Sequence, residues 1–282
     1  MADRATVMNG SDTSGPLLAT ALAEAATRNS QQLREITDPA APVPGLDWTV
    51  AEVAAHLVAD LREYTEVIAG HGPEPALPAA RAATATAAEL TTADNRRQLA
   101  GHTERDPNRL AAELSEAVPA FIAAAAAAPA GTPVSTPFGM AVRPATIAAI
   151  VLGEQLIHGL DLARAAGQPW PITAEEARLV LPALMDVLPG YINRDRARGL
   201  HARYELRFGG DLRYQLAIDD GTGTVGPATG RPDCVITADP VAFLLVGYCR
   251  ISQRGPILRG KLRSGGRKPW LGFRFGSLTV NP

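Results

Sequence analysis

The stretch that decides the fold is IAAIVLGEQLIHGLDLARAAG, residues 147–167. Its apolar residues predict one long helix, in which Glu154 and His158, four residues apart, stand one turn apart on the same face. Asp161 follows three residues after His158. Burying such ionisable side chains among apolar neighbours is costly unless they have a partner, and a metal ion is a common one.

Size and charge indicate two domains. The chain has 282 residues, of which 46% are hydrophobic and 20% charged, enough for a substantial core. From Gly190 to the end there are 15 Lys and Arg against 7 Asp and Glu, whereas the preceding part has 12 against 22. The basic half lacks the interleaved aromatics of a nucleic-acid binder, so we expect a solvated surface or an anionic small ligand and no nucleic-acid partner.

The sequence predicts a cytoplasmic protein. No apolar run reaches the roughly 18 residues of a membrane-spanning helix, and residues 1–15 contain no apolar run typical of a signal peptide. The two cysteines, Cys234 and Cys249, are expected to be free and buried in a reducing compartment.

Helical periodicity and loop residues organise the first part of the chain. Helices are predicted at 17–37, 50–70, 79–100 and 107–128 and over the opening stretch, with Pro- and Gly-rich loops between them. Thr49 and Glu52 form a capping box that starts the second of these helices at Val50. This order predicts a four-helix bundle over residues 14–170.

The second part changes to the two-residue period of strands. A capping box of Thr173 and Glu176 opens a connecting helix within residues 171–189. Strands are then predicted at 202–208, 211–219, 233–239 and 257–262, with a hairpin at Gly209 and Gly210, a helix at 240–248 and an amphipathic piece at 268–275. Residues 190–282 are therefore predicted to form a small α+β domain.

One motif argues for a different chemistry. GTGTVG at 221–226 matches the GxGxxG pattern of dinucleotide-binding sites. Such a site needs a helix directly after the glycines, and the Pro- and Gly-containing residues that follow prevent one. We therefore interpret the segment as a loop.

The histidines fall into two groups. His71, His102 and His201 lie in polar or loop contexts and are expected to be solvated, whereas His56 and His158 lie on apolar helix faces. The two buried ones are either hydrogen-bonded core residues or, together with Glu154, ligands of a metal held between two helices of the bundle. Spacing alone leaves both readings open.

Two segments resemble a known family. Residues 48–57, WTVAEVAAHL, and 154–163, EQLIHGLDLA, look like the signature stretches of the mycothiol-dependent maleylpyruvate isomerases, which belong with the DinB-like metal-binding four-helix bundles. The resemblance implies that His56, Glu154 and His158 bind a divalent metal, usually zinc. Residues 238–262 resemble the sterol-carrier-like C-terminal domain that often accompanies this bundle.

The resemblance also implies a chemistry. A metal with an open position would turn mycothiol into a thiolate that attacks an electrophilic small molecule, by S-transfer or by cis–trans isomerisation of a maleylpyruvate-like substrate. Asp161 would orient a ligand histidine, or would instead pair with Arg164 on the helix surface. The alternatives are a non-catalytic small-molecule or lipid-binding protein that uses the C-terminal domain, and a metal-stabilised regulatory protein.

Overall fold

Four long helices form a bundle in the first part of the chain. The computed structural model describes residues 14–73 and 75–280. Its helices up to residue 166 are α1 (Ser14–Arg34), α2 (Val50–Ile68), α3 (Ala79–Ala82), α4 (Ala87–Gly101), α5 (Pro107–Ala127) and α6 (Pro144–Ala166). Helices α1 and α2 each pack against both α5 and α6, so α2 and α6 are neighbours. The predicted bundle is confirmed, and α4 lies outside it against α2.

The ends of the bundle helices follow the predicted signals. Helix α2 begins at Val50, with both hydrogen bonds of the Thr49–Glu52 capping box in place. Helix α6 has Pro144 in its first turn and ends at Gly167, whose φ of 67° is the left-handed conformation that glycine favours.

The predicted single helix over 79–100 is wrong. It is broken into α3 and α4, because Thr86 caps α4 and forms a second capping box with Glu89. A threonine followed three residues later by glutamate marks the start of a new helix. The preceding helix therefore ends before Thr86.

Two bundle helices, α5 and α6, are long and apolar enough to cross a membrane by length and composition alone. In this fold, most of α6 is buried against its neighbours, and α5 packs against α1 and α2. Helix α6 is therefore a core helix of the bundle, whereas only 28% of the apolar window of α5 is buried. The residues 1–13 on which the signal-peptide expectation mainly rests lie outside the described part of the chain.

The second part of the chain is built on a mixed five-stranded sheet. Helix α7 (Ala174–Val187), a 3-10 turn (Leu188–Tyr191) and α8 (Arg194–Ala197) lead into it. A short β1–β2 hairpin (Val134–Ser135, Ala141–Val142) lies earlier in the chain. The strands of the five-stranded sheet are β3 (His201–Arg207), β4 (Arg213–Asp219), β5 (Thr222–Gly226), β6 (Cys234–Ala238) and β7 (Leu262–Gly265). Their order is β5-β4-β3-β6-β7, with β3 and β6 parallel and the other pairs antiparallel. Helices α9 (Pro240–Gly247), α10 (Arg254–Leu258) and α11 (Leu271–Phe275) complete this part.

Two predictions in this part are wrong. The glycine-rich segment 221–226 is not a loop, since β5 occupies most of it and pairs with β4. Asp220 and Gly221 both have positive φ, 42° and 87°, which makes them a tight hairpin turn. The strand predicted at 257–262 is instead the end of α10 and a reversal at Gly260, and β7 begins only at Leu262.

Helix α7 contributes to two apolar cores. Ala177 and Val180 belong to the core of the bundle, whereas Leu181 and Met185 belong to the core under the sheet. The helix predicted within 171–189 is confirmed. The domain boundaries at 170 and 190 stay a prediction.

The contact of α1 with α6 depends on a glycine beside His158. A Cβ atom at Gly159 would lie 2.1 Å from Trp170 Cζ2 and 2.5 Å from Asn29 Oδ1. Trp170 is fixed by its hydrogen bond to the Leu156 carbonyl (2.9 Å) and by the guanidinium of Arg28, 4.6 Å above its ring. The close approach therefore requires glycine.

We expect Gly159→Ala to lower the free energy of unfolding by about 1–3 kcal/mol, because the added methyl group overpacks the contact. The matched control is Gly101→Ala at the end of α4, where a Cβ meets nothing within 4 Å. Urea unfolding of both variants measures the difference. Equal stability of the two would contradict the packing described here.

Candidate metal centre

Three side chains from two helices converge between α2 and α6. One ligand atom each of His56, Glu154 and His158 lies within 4.8 Å of the other two. Glu154 Oε2 is 3.1 Å from His158 Nε2 and 3.6 Å from His56 Nε2. The structure therefore brings together all three residues that the sequence singled out as metal ligands.

The local sequence explains this position. The capping box fixes the start of α2, so that His56 lies on its buried face, and only 3% of His56 is exposed. Helix α6 is buried on most sides, which places His158 inside the bundle as well, at 6% exposure. Glu154 is one turn before His158 and is partly open to solvent, with 19% of its side chain exposed.

The outer nitrogens of both histidines are occupied. His56 Nδ1 lies 3.0 Å from Gln98 Oε1, and His158 Nδ1 lies 3.0 Å from Asp161 Oδ2. Since both partners accept, each Nδ1 donates, and a neutral ring then carries its lone pair on Nε2. Both Nε2 atoms face the Glu154 carboxylate: a protonated Nε2 donates to it, whereas a deprotonated Nε2 offers its lone pair to a metal held beside Glu154.

Burial and hydrogen bonding set the charges of the three groups. Burial lowers the pKa of His56 and keeps this ring neutral. Burial also acts to lower the pKa of His158. The hydrogen bonds of this ring with Asp161 and Glu154 outweigh the effect of burial, so the pKa of His158 is raised. Burial alone would raise the pKa of Glu154, whereas its contacts with His158 and His56 lower it, so that it stays a carboxylate.

Asp161 links the centre to the second part of the chain. It is fully buried and accepts hydrogen bonds from Arg250 Nε (2.8 Å to Oδ1) and Nη2 (2.6 Å to Oδ2). The alternative pairing with Arg164 is wrong, because Arg164 donates to the backbone carbonyl of Arg250. Burial would raise the pKa of Asp161, but its bonds with His158 and Arg250 lower it.

The segment after α9 supplies a second contact. The Tyr248 hydroxyl lies 3.5 Å from Glu154 Oε1. Cys249, between Tyr248 and Arg250, has a φ of 56°, the left-handed region that costs energy for a residue with a Cβ. This turn lets both neighbours reach the bundle. Cys249 is free but exposed, so the expectation that both cysteines are buried holds only for Cys234.

Gln98 anchors His56 to an acidic network on α2 and α4. Its Nε2 donates to Glu63 Oε2 (3.0 Å) and Asp94 Oδ2 (3.2 Å), and Arg97 pairs with both carboxylates. Burial raises the pKa of Asp94 to about 6. Gln98 is thereby held with its oxygen toward the imidazole.

A further buried carboxyl lies one turn beyond His56. Asp60 is 6% exposed, and its Oδ2 has no hydrogen-bond partner among the described protein groups. Burial, together with the charge of Glu154, raises the pKa of Asp60 well above its usual range. Asp60 is not among the residues predicted for the site, although its spacing of four residues from His56 on an apolar face was a usable signal.

Other site residues had no signal in the sequence. Gln98 and Arg250 are ordinary polar residues, 42 and 194 positions after His56, and only the folded chain brings them to the centre. Trp48 was noticed only in the family-like segment, and its ring lies 5.1 Å from that of His56 and 5.9 Å from that of His158.

The three remaining histidines lie outside the centre. His71 and His201 are exposed, as expected from their loop and polar contexts. The expectation that His102 is solvated is wrong. Its side chain is 16% exposed, and its Nε2 lies 3.2 Å from Glu113.

Comparison with solved structures finds the same overall fold in an enzyme. The crystal structure of the mycothiol-dependent maleylpyruvate isomerase is similar with a TM-score of 0.54 at 16% identity, covering 89% of this chain and 92% of that chain. A histidine-to-alanine variant of that isomerase gives a TM-score of 0.55 at 14% identity, with the same coverage. At these identities the likeness establishes the fold alone.

Sequence comparison gives the family. Curated proteins contain no match to this chain. The family model described as the mycothiol maleylpyruvate isomerase N-terminal domain matches residues 19–163, which span more than half of the chain and contain His56, Glu154 and His158. The chain therefore belongs to the mycothiol maleylpyruvate isomerase N-terminal domain family.

Proposed function

We propose that this protein is a metal-dependent enzyme that uses mycothiol against an electrophilic small molecule. The observation that carries the proposal is the convergence of one ligand atom each of His56, Glu154 and His158 within 4.8 Å. Family membership and the fold of the isomerase support it. We place the enzyme in the cytoplasm, where a small thiol stays reduced.

The donor set fits a catalytic divalent metal, and zinc in particular. Two imidazole nitrogens and one carboxylate oxygen are the three protein ligands of several catalytic zinc sites, which keep a fourth position open. His56 is neutral because burial lowers its pKa, and Glu154 stays ionised. Asp161 and Gln98 hold the two rings by their outer nitrogens.

The metal would supply the thiolate, since a thiol that coordinates a divalent cation loses its proton near neutral pH. Such a thiolate would add to a conjugated alkene, and rotation followed by loss of the same thiolate would give the isomer of a maleylpyruvate-like substrate. With a substrate that carries a leaving group, the carbon–sulfur bond stays and the leaving group departs, which is S-transfer. The Tyr248 hydroxyl donates to Glu154 and would hold this carboxylate in place in either case.

We expect the purified protein to contain one divalent metal per chain, and His56→Ala and Glu154→Ala to lose it. Elemental analysis after gel filtration measures the content. The controls are His71→Ala and His201→Ala, since both of these histidines are exposed and paired only with surface carboxylates. A metal-free native protein, or full retention by both site variants, would rule out the site.

Asp161→Asn should weaken metal binding by about 10–100-fold, because a neutral amide holds His158 less firmly than a carboxylate does. Competition with a chromophoric chelator measures the affinity. Asp219→Asn is the matched control, since Asp219 contacts the exposed His201 in the same way. Equal affinities of the two variants would show that Asp161 does not orient a ligand.

Addition of mycothiol to the cobalt-substituted protein should change its visible spectrum, because the thiol enters the coordination sphere. Turnover is then followed as loss of free thiol with leaving-group electrophiles and as isomerisation of maleylpyruvate. Thiol loss alone would assign S-transfer, and isomerisation without thiol loss would assign the isomerase reaction. An unchanged spectrum together with no turnover would favour the regulatory or ligand-binding alternatives.

A further inference from the structure

Large apolar side chains are exposed near the end of the chain. Among the described residues, those with the greatest exposure are Leu17 (60%), Leu258 (87%), Trp270 (58%) and Phe273 (65%). Three of these four lie within or beside α10 and α11. We call Trp270 and Phe273 the aromatic patch.

The outward orientation of the two aromatic rings is fixed by packing. Leu271 is buried under the sheet, and a Cβ at Gly272 would lie 2.4 Å from Ser264 Cβ on β7. These two residues seat α11 against the sheet, so the helix cannot turn its other side inward. Trp270 and Phe273, three residues apart, share that other side. Helix α10, which ends at Leu258, also packs against β7.

The part of the sequence that carries the patch is basic. From Gly247 to the end the sequence has eight Lys and Arg and no Asp or Glu. Arg250 pairs with Asp161, Lys261 lies 3.9 Å from Asp239, and Arg267 and Lys268 both lie 3.2 Å from Asp233. Within the described chain, no ion pair with a carboxylate is found for four arginines, of which two bind backbone carbonyls: Arg254, Arg259, Arg263 and Arg274.

We propose that the aromatic patch and these arginines bind the surface of an anionic phospholipid bilayer. Tryptophan and phenylalanine insert into the boundary between head groups and acyl chains, and arginines bind lipid phosphates. A second copy of this chain fits less well, because a symmetric contact through the patch would set two basic surfaces against each other. The patch shares no residue with the metal centre, so this binding is independent of the proposed enzyme activity.

The test is sedimentation of the full-length, metal-loaded protein with vesicles. We expect binding to vesicles of phosphatidylcholine with about one third phosphatidylglycerol, little binding to phosphatidylcholine alone, and loss of binding as salt screens the phosphates. Trp270 fluorescence should shift to the blue on binding, since its ring leaves water.

Trp270→Ala with Phe273→Ala should lower the lipid partition coefficient by roughly tenfold or more, because most of the inserted apolar area is removed. Arg259→Glu, an exposed change outside the core, should weaken binding to the anionic vesicles only. Leu17→Ala is the matched control, since it removes an equally exposed apolar side chain from α1 and should leave binding unchanged.

Three results would overturn the proposal. One is failure to bind the anionic vesicles, or equal binding to both vesicle types. The second is a doubled solution mass that Trp270→Ala with Phe273→Ala restores to the monomer, which would assign the patch to a second copy. The third is binding to a single-stranded oligonucleotide with no binding to vesicles, which would assign it to nucleic acid.

Discussion

The buried carboxylate of Asp161 is the constraint on which the candidate metal centre depends. A fully buried charge is tolerated only when it is paired and hydrogen-bonded, and Asp161 meets this condition through His158 and Arg250. Because Arg250 follows α9 and Asp161 lies on α6, the same ion pair joins the sheet-containing part to the bundle. The orientation of His158 is therefore set by residues from both parts of the chain.

The two histidines are held by different chemistry. His158 is oriented by a charged partner that raises its pKa, whereas His56 is oriented by the neutral amide of Gln98 and keeps a lowered pKa. Among the described residues, His56 has no direct acidic partner at Nδ1. The acidic residues on that side, Glu63 and Asp94, instead accept hydrogen bonds from Gln98. The His158 ring therefore takes up a proton more readily than an ordinary histidine, whereas the His56 ring stays neutral.

Much of the bundle, and the placement of Glu154 and His158 one turn apart in the candidate metal centre, follows from local sequence. The capping box at Thr49 and the helical spacing of Glu154 and His158 depend only on residues a few positions apart, and both predictions are confirmed in the structure. Asp161 was assigned two alternative partners, and neither the sequence nor its spacing pointed to Arg250, because that pairing spans 89 residues and depends on how α9 packs. The hairpin turn at Asp220 and the break at Thr86 were not predicted, although their signals are local. The glycine motif at 221–226 obscured the turn, and the alanine-rich run obscured the break.

Helix α7 has a consequence for how the chain folds. Leu181 and Met185 fill the core under the sheet, while Ala177 and Val180, on the same helix, fill the core of the bundle. A fragment that starts at residue 190 would lack two side chains of its own interior, and a fragment that ends before α7 would leave an apolar strip of the bundle in water. The two cores therefore share one cooperative element, and we expect them to melt together rather than as separate units.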